Sequence, residues 1–216
     1  MSRKNSLQPG KNSMGQIFRR AEQYLDHVDS TGQFIEIGTS RNGDDGSTKI
    51  IAEWAGRFNQ KLYTVDIDYE NINFVTKYNI PNLKTYWGSG ESFFENFPAH
   101  LGPISFLYLD NFDWDWHPDN PEPFVLEQRL RYDELGLEMN NVNSQRSHLE
   151  QMMKALTYMA DKCIVVLDDT WYNQWWGHYS GKGGAVVPFL LSQGYQVLDT
   201  EEQPVYGTIM GRGIND

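Results

Sequence analysis

FIEIGTSRNGDDGST, spanning Phe34 to Thr48, carries a strand, a turn and the start of a helix in one stretch. Phe34 to Ile37 is a short apolar run broken only by Glu36, which suits a strand covered on both faces. Gly38 lets the backbone turn and pass close to a ligand, and Gly46, Ser47 and Thr48 can cap the next helix. Ile50, Ile51, Trp54 and Ala55 then fall on one face of a helix over Ser47 to Phe58. Such a turn can hold a phosphate or an amino-acid carboxylate. It lacks both the GxGxxG spacing of a dinucleotide fingerprint and the Lys-Ser/Thr pair of a phosphate loop.

The alternation continues on both sides. Ile17, Phe18, Ala21, Tyr24, Leu25 and Val28 have helical spacing and predict a helix over the sheet edge or a bound ligand. Downstream, strands at Leu62 to Val65, Leu83 to Trp87, Ile104 to Leu109 and Cys163 to Leu167 alternate with helices. Those helices span Tyr69 to Tyr78, Glu91 to Phe97, Arg146 to Met159 and Ala185 to Gln193. Strands separated by helices imply an α/β fold, a parallel sheet with both faces covered. The last two strands, Tyr195 to Asp199 and Val205 to Met210, have only Glu201 to Pro204 between them and must form an antiparallel hairpin.

A chain of 216 residues fits one domain with a substantial core. Its formal charge of -11, with no basic block, repels nucleic-acid backbones and anionic membranes, so small molecules are the expected partners. The single cysteine, Cys163, lies in an apolar run and cannot form an internal disulfide, which suits a cytoplasmic protein. Residues 1–13 are polar and read as a flexible arm, and no stretch is long enough to span a bilayer. Two segments resist assignment: Asn111 to Gln145, with Trp114 and Trp116, and Thr170 to Gly184, with Trp171, Tyr172, Trp175, Trp176 and Tyr179. They read as irregular lids or acceptor-binding loops, or equally as the contact face of a homo-oligomer.

In an open α/β sheet, ligands collect beyond the carboxyl ends of the strands. Those ends carry Glu36 to Gly38, Asp66 and Asp68, Gly88 to Glu91, Asp110 to Asp113, and Asp168-Asp169. Asp66, and less directly Asp68, can accept hydrogen bonds from both ribose hydroxyls of an adenosine ligand. Asp110, Asp168 and Asp169 end neighbouring strands, and three carboxylates in one crevice repel each other unless a cation sits among them. Oxygen donors suit magnesium or manganese. His117, His148 and His178 are candidate bases. His117 and Asp119 with His178 also suggest a two-histidine, one-carboxylate iron site and an oxygenase.

The runs FIEIGTSRNGDDGST, LYTVDID, WGSGESFF, ISFLYLD, CIVVLDDTW and GKGGAVVPFLLSQGY together resemble the class I S-adenosylmethionine-dependent methyltransferases. More narrowly they resemble methyltransferase family 24, with its cephalosporin hydroxylase-like and sugar O-methyltransferase relatives. The resemblance covers Phe34 to Met210 and implies a Rossmann-like seven-stranded sheet with a reversed last strand. It implies cofactor contacts from Glu36, Gly38, Thr39, Ser40, Gly43, Ser47, Asp66, Ile67, Gly88, Ser89, Glu91 and Asp110. It also implies a divalent ion, Mg2+ or Mn2+, on Asp110, Asp168 and Asp169. The implied acceptor is a small hydroxylated molecule, a sugar or glycoside first and a catechol-like phenol second.

RNGDDGST is longer than the family's usual Gly-Gly-Ser-Thr form, and Asp113 stands where the catechol-type pattern has a catalytic lysine. The candidate catalytic set is therefore His117, His178 and Asp113. A non-catalytic cofactor-binding protein of the same fold is a further alternative.

Overall fold

A computed structural model describes residues 13–41, 46–200 and 207–214; Gly43, the arm before Ser13 and the connector Glu201 to Pro204 lie outside them. From the N-terminus come α1 (Ser13–Glu22), β1 (Gln33–Ile37), α2 (Ser47–Arg57), β2 (Leu62–Asp66), α3 (Tyr69–Thr76), β3 (Leu83–Trp87), α4 (Gly90–Glu95) and β4 (Ile104–Leu109). Then follow α5 (Pro123–Glu134), α6 (Asn141–Ala155), β5 (Met159–Asp168), β6 (Thr170–Asn173), β7 (His178–Gly181), α7 (Val186–Ser192), β8 (Gln196–Thr200) and β9 (Gly207–Arg212).

The main sheet has seven strands in the order β3-β2-β1-β4-β5-β9-β8. It is parallel from β3 to β5, and β9 runs antiparallel between β5 and β8. This is the reversed terminal hairpin that the short connector demands. β1, β4 and β5 are apolar runs because helices cover both their faces. Ile35, Ile37, Leu107, Leu109, Val165 and Leu167 point to one side, against Phe93, Phe94, Met152 and Val187. Phe34, Phe106, Tyr108, Ile164 and Val166 point to the other, against Ile17, Phe18, Ile51 and Trp54. Period-2 alternation thus builds two cores from one sheet. Among the described residues no helix is long and apolar enough to cross a membrane.

Both segments read as irregular are ordered. Asn111 to Gln145 contains the twelve residues of α5 and the start of α6. The pattern of α5 hides it, because only Val125 is buried while Phe124, Leu126 and Leu130 are exposed. The buried face of α6 is largely polar, with Ser144, His148 and Gln151 beside Met152 and Ala155 at helical spacing. Thr170 to Gly184 holds the hairpin β6–β7, pairing Trp171 with Ser180 and Tyr172 with Tyr179. Its turn is set by Asn173, whose Oδ1 accepts from the amides of Trp175 and Trp176. The N-terminal helix ends at Glu22, and a 3-10 turn at Leu25–His27 completes the segment.

Parallel register pairs Ile37 with both Val65 and Leu109, and Leu109 with Leu167, so the central strands end level. Gly38 continues this line at φ +100°, and a Cβ there would lie 2.6 Å from the Asn111 nitrogen and the Asp110 carbonyl carbon. Gly38→Ala is expected to cost at least about 2 kcal/mol, combining left-handed strain with a backbone clash. Urea unfolding checks this; a midpoint equal to that of the unsubstituted chain would contradict it.

Candidate active site

A cavity of about 720 Å³ opens at the carboxyl ends of β1 to β4, beside the β1/β4 reversal of strand order. This volume is within the range of small-molecule pockets. Its wall includes the predicted residues Gly38, Thr39, Ser40, Ser47, Asp66 and Ile67, and, from the next two strand ends, Gly88, Ser89, Glu91, Asp110 and Asp113. The opposite wall comes from α5 and α6, through Phe124, Gln128, Arg131, Tyr132 and Arg146.

Glu36 does not line this cavity, which corrects the expected cofactor contact. It is fully buried, and its carboxylate accepts from Ser47 Oγ at 2.5 Å, Thr48 Oγ1 at 2.7 Å and Thr64 Oγ1 at 2.6 Å. The hydroxyls expected to cap α2 therefore hold its first turn to β1, and the capping position, Gly46, makes no side-chain bond. Burial pushes the Glu36 carboxyl up to about 7, against the downward pull of the three hydroxyls.

Asp66 faces the cavity from the end of β2. Its Oδ1 accepts from the Asp68 amide at 2.7 Å, and Oδ2 from the Thr39 amide and Asn71 Nδ2, both at 3.0 Å. Three of about four acceptor positions are filled, so Asp66 has room for one further hydroxyl rather than two. Burial raises its carboxyl above the usual value, while these donors oppose the rise. Asp68, the alternative ribose ligand, is instead gripped by Arg131 of α5, with Nε to Oδ2 at 2.7 Å and Nη2 to Oδ1 at 2.6 Å. The forked hydrogen bonds hold its carboxyl below the usual range. Glu91 accepts from Ser147 Oγ at 2.6 Å and Gln151 Nε2 at 3.1 Å, which ties α4 to α6 at the cavity edge.

The acidic ends of β4 and β5 do converge, around the ammonium of Lys182. Lys182 is 2% exposed, with Nζ 2.7 Å from Asp110 Oδ1 and 3.1 Å from Asp169 Oδ2. Tyr108 donates to the other Asp110 oxygen at 3.1 Å. Burial and the charge of Asp110 push the Asp168 carboxyl well above the usual range; Asp110 lies below it, because the Lys182 charge and a hydrogen bond from Asp168 overcome its burial. Asp168 is thus the proton-bearing member of that pair. Among the described residues, no group of three or more His, Cys, Asp or Glu side chains is arranged to hold a metal ion. The magnesium expected on Asp110, Asp168 and Asp169 does not fit this arrangement, because a lysine ammonium already bridges Asp110 Oδ1 and Asp169 Oδ2.

The histidines lie elsewhere. His117 is exposed in a shallow depression beside Trp114 and Trp116, and His178 is exposed and stacked on Trp176. Neither lines the cavity, and they form no iron site with Asp119. His148 is fully buried; its Nδ1 lies 2.8 Å from the Ser144 carbonyl, which can only accept, so Nδ1 carries the proton. Burial and the Lys182 charge push its pKa down to about 4.

No protein-family model matches the sequence, and no curated protein matches it. Solved structures match over most of the chain. A Streptococcus mutans protein assigned as a methyltransferase, in complex with SAH, aligns with 94% of this chain and 98% of its own at 13% identity, TM-score 0.51. A Clostridium thermocellum protein assigned as an rRNA methylase aligns with 94% and 96% at 14% identity, TM-score 0.52. The O-methyltransferase TomG of Streptomyces achromogenes, in complex with SAM, aligns with 92% and 79% at 11% identity, TM-score 0.52. The chain has the class I methyltransferase fold. Identities this low establish the fold of the methyltransferases and nothing finer.

Within this methyltransferase fold, sequence reasoning missed Lys182, Arg131, Tyr132 and Asn71. Lys182 stood inside the quoted GKGG run, and that glycine context was its only signal. Glu36 yields a test. The native state keeps a proton on it up to about pH 7, whereas an ordinary glutamate loses it near 4.5. Its contribution to stability is therefore full below pH 4.5 and is lost as pH rises to 7, a change on the order of 3 kcal/mol. Glu36→Gln should remove that slope. Parallel pH–stability curves for the two proteins in urea would refute the assignment.

Proposed function

We propose that this protein is an S-adenosylmethionine-dependent O-methyltransferase acting on a small hydroxylated acceptor, with the whole chain serving as one domain. The observation that carries the reading is the cavity itself, with the Asp66 carboxylate on its wall at the strand-order reversal. Asp66 would accept one ribose hydroxyl, and the backbone and hydroxyl of Gly88-Ser89 would meet the adenine edge. Arg41 and Arg146 line the same cavity and would face the carboxylate of the amino-acid part. Asn111 Oδ1, a buried acceptor without a partner on that wall, would take its ammonium. When bound there, S-adenosylmethionine supplies a methyl group, and the electrons of the broken C–S bond leave with the sulfur.

The chain's residues then hold the acceptor oxygen in line and keep water out under α5. The new O–C bond forms as the hydroxyl proton passes to a carboxylate. Of the candidate catalytic residues only Asp113 lines the cavity, so it takes that role. Its amide donates to the Tyr132 oxygen at 2.6 Å, fixing the segment after β4 against α5.

Glu91, Asp113, Glu127, Glu138 and Glu150 give the cavity an acidic lining. Together with the charge of -11, this favours a neutral or cationic small acceptor over a phosphodiester backbone. The narrower likeness to family 24 rests on the motifs and points to a sugar or glycoside, with a catechol-like phenol second. The free, buried Cys163 suits a cytoplasmic setting.

Isothermal titration with S-adenosylhomocysteine tests the cofactor assignment. Asp66→Ala should weaken binding about 10- to 100-fold, the loss of one charge-assisted hydrogen bond. Unchanged affinity would sink the reading. Transfer of labelled methyl from S-adenosylmethionine to a panel of glycosides and catechols separates an enzyme from a non-catalytic binder, which would bind the cofactor and transfer nothing.

A further inference from the structure

We propose that Lys182 is a built-in cation that occupies the place of a divalent metal among Asp110, Asp168 and Asp169, so that this acidic cluster needs no metal to hold its shape. Carboxylates crowded at adjacent strand ends relieve their repulsion by holding a proton, as Asp168 does, or by gaining positive charge between them, as Asp110 and Asp169 do. The chain supplies it from the run that follows the β6–β7 hairpin. The backbone leaves the lysine little freedom. Gly181 stands at φ +86°, and a Cβ there would lie 1.8 Å from the Asp169 carbonyl oxygen. The Lys182 amide donates to that same oxygen at 3.0 Å, and the Gly183 amide donates to Thr170 Oγ1 at 2.8 Å. Thr170 in turn donates to the Asp168 carbonyl at 2.8 Å. This lattice anchors the Lys182 backbone against the end of β5 and sends its side chain to Asp110 and Asp169.

A divalent ion on this cluster would compete with the ammonium for Asp110 Oδ1 and Asp169 Oδ2, the oxygens it now bridges. A divalent ion at ion-pair distance from the buried ammonium would meet a repulsion that is weakly screened there. The ammonium also fixes Asp110, whose second oxygen is held by Tyr108. Lys182 is therefore a positioning residue, acting on the cavity wall through Asp110.

The inference does not depend on methyl transfer, and its test reads metal affinity and thermal stability. Mn2+ binding by the full chain is measured by titration and by electron paramagnetic resonance, alongside melting in chelator and in millimolar Mg2+ or Mn2+. The unsubstituted protein should bind no Mn2+ at this cluster and melt at the same temperature in both media. Lys182→Met should melt lower, bind Mn2+ at least tenfold more tightly than the unsubstituted chain, and regain stability with the metal. Lys182→Met combined with Asp169→Asn should lose that gain. A purely structural role for the lysine would lower the melting temperature without creating Mn2+ affinity, and that result overturns the proposal. So does stoichiometric Mn2+ binding by the unsubstituted protein that Asp169→Asn abolishes, a measurement that stands even if Lys182→Met does not fold.

Discussion

The arrangement turns on the near-contact between the ends of β1 and β4. Gly38 donates its amide to the Val65 carbonyl at 2.9 Å, and the Asp110 amide donates to the Ile37 carbonyl at 2.8 Å. There is no room for a side chain between the two strand ends. The three strands therefore finish level, and the residue after each one emerges on the same side. Thr39 reaches Asp66 because of this alignment, and Asp110 faces the same cavity as Asp66 and Ser40. A close backbone approach that only glycine permits converts sheet register into a binding site.

Level strand ends bring carboxylates together in a region of low solvent access, and each is stabilised differently. Glu36 takes three hydroxyl donors and stays partly protonated near neutrality. Asp66 uses two backbone amides and Asn71. Asp68 has a guanidinium fork, and Asp110 with Asp169 shares an ammonium. Buried charge is tolerated when hydrogen-bonded or paired. The differences sort the residues by availability. Glu36 has no route to a ligand, Asp68 is occupied by α5, and Asp66 keeps one acceptor position open.

The elements with regular apolar periodicity were legible from the sequence. β4 begins and ends where its apolar run does, β3 matches the strand expected at Leu83 to Trp87, and the antiparallel ending followed from a connector too short for a helix. α5 and the start of α6 were not legible, because periodicity reports burial and these helices bury little or bury polar groups. The cavity-facing residues after β1, β2 and β3 could be placed because strand ends are local features. Lys182 could not, because its partners lie 13 and 72 residues away in the chain (182 − 169 and 182 − 110) and meet it only through the β6–β7 hairpin and the pairing of β4 with β5. The crowding of the three aspartates could be read from the sequence, while the ammonium beside Asp110 and Asp169 required the tertiary structure.

The insertion after β4 links these local solutions into one enclosure. α5 touches the rest of the fold through Arg131 on Asp68, Arg129 on Asp115, and Tyr132 beside Phe112 and Asp113, with Val125 as its single buried apolar residue. A helix held by few apolar contacts and by polar clasps at the cavity mouth can be displaced at lower cost than one seated in the core. The residues that hold α5 in place are also neighbours of the residues a ligand would touch, since Asp68 follows Asp66 by two positions and donates its amide to it. α5 and Asp66 are thus linked by hydrogen bonds through one short stretch, Asp66 to Asp68.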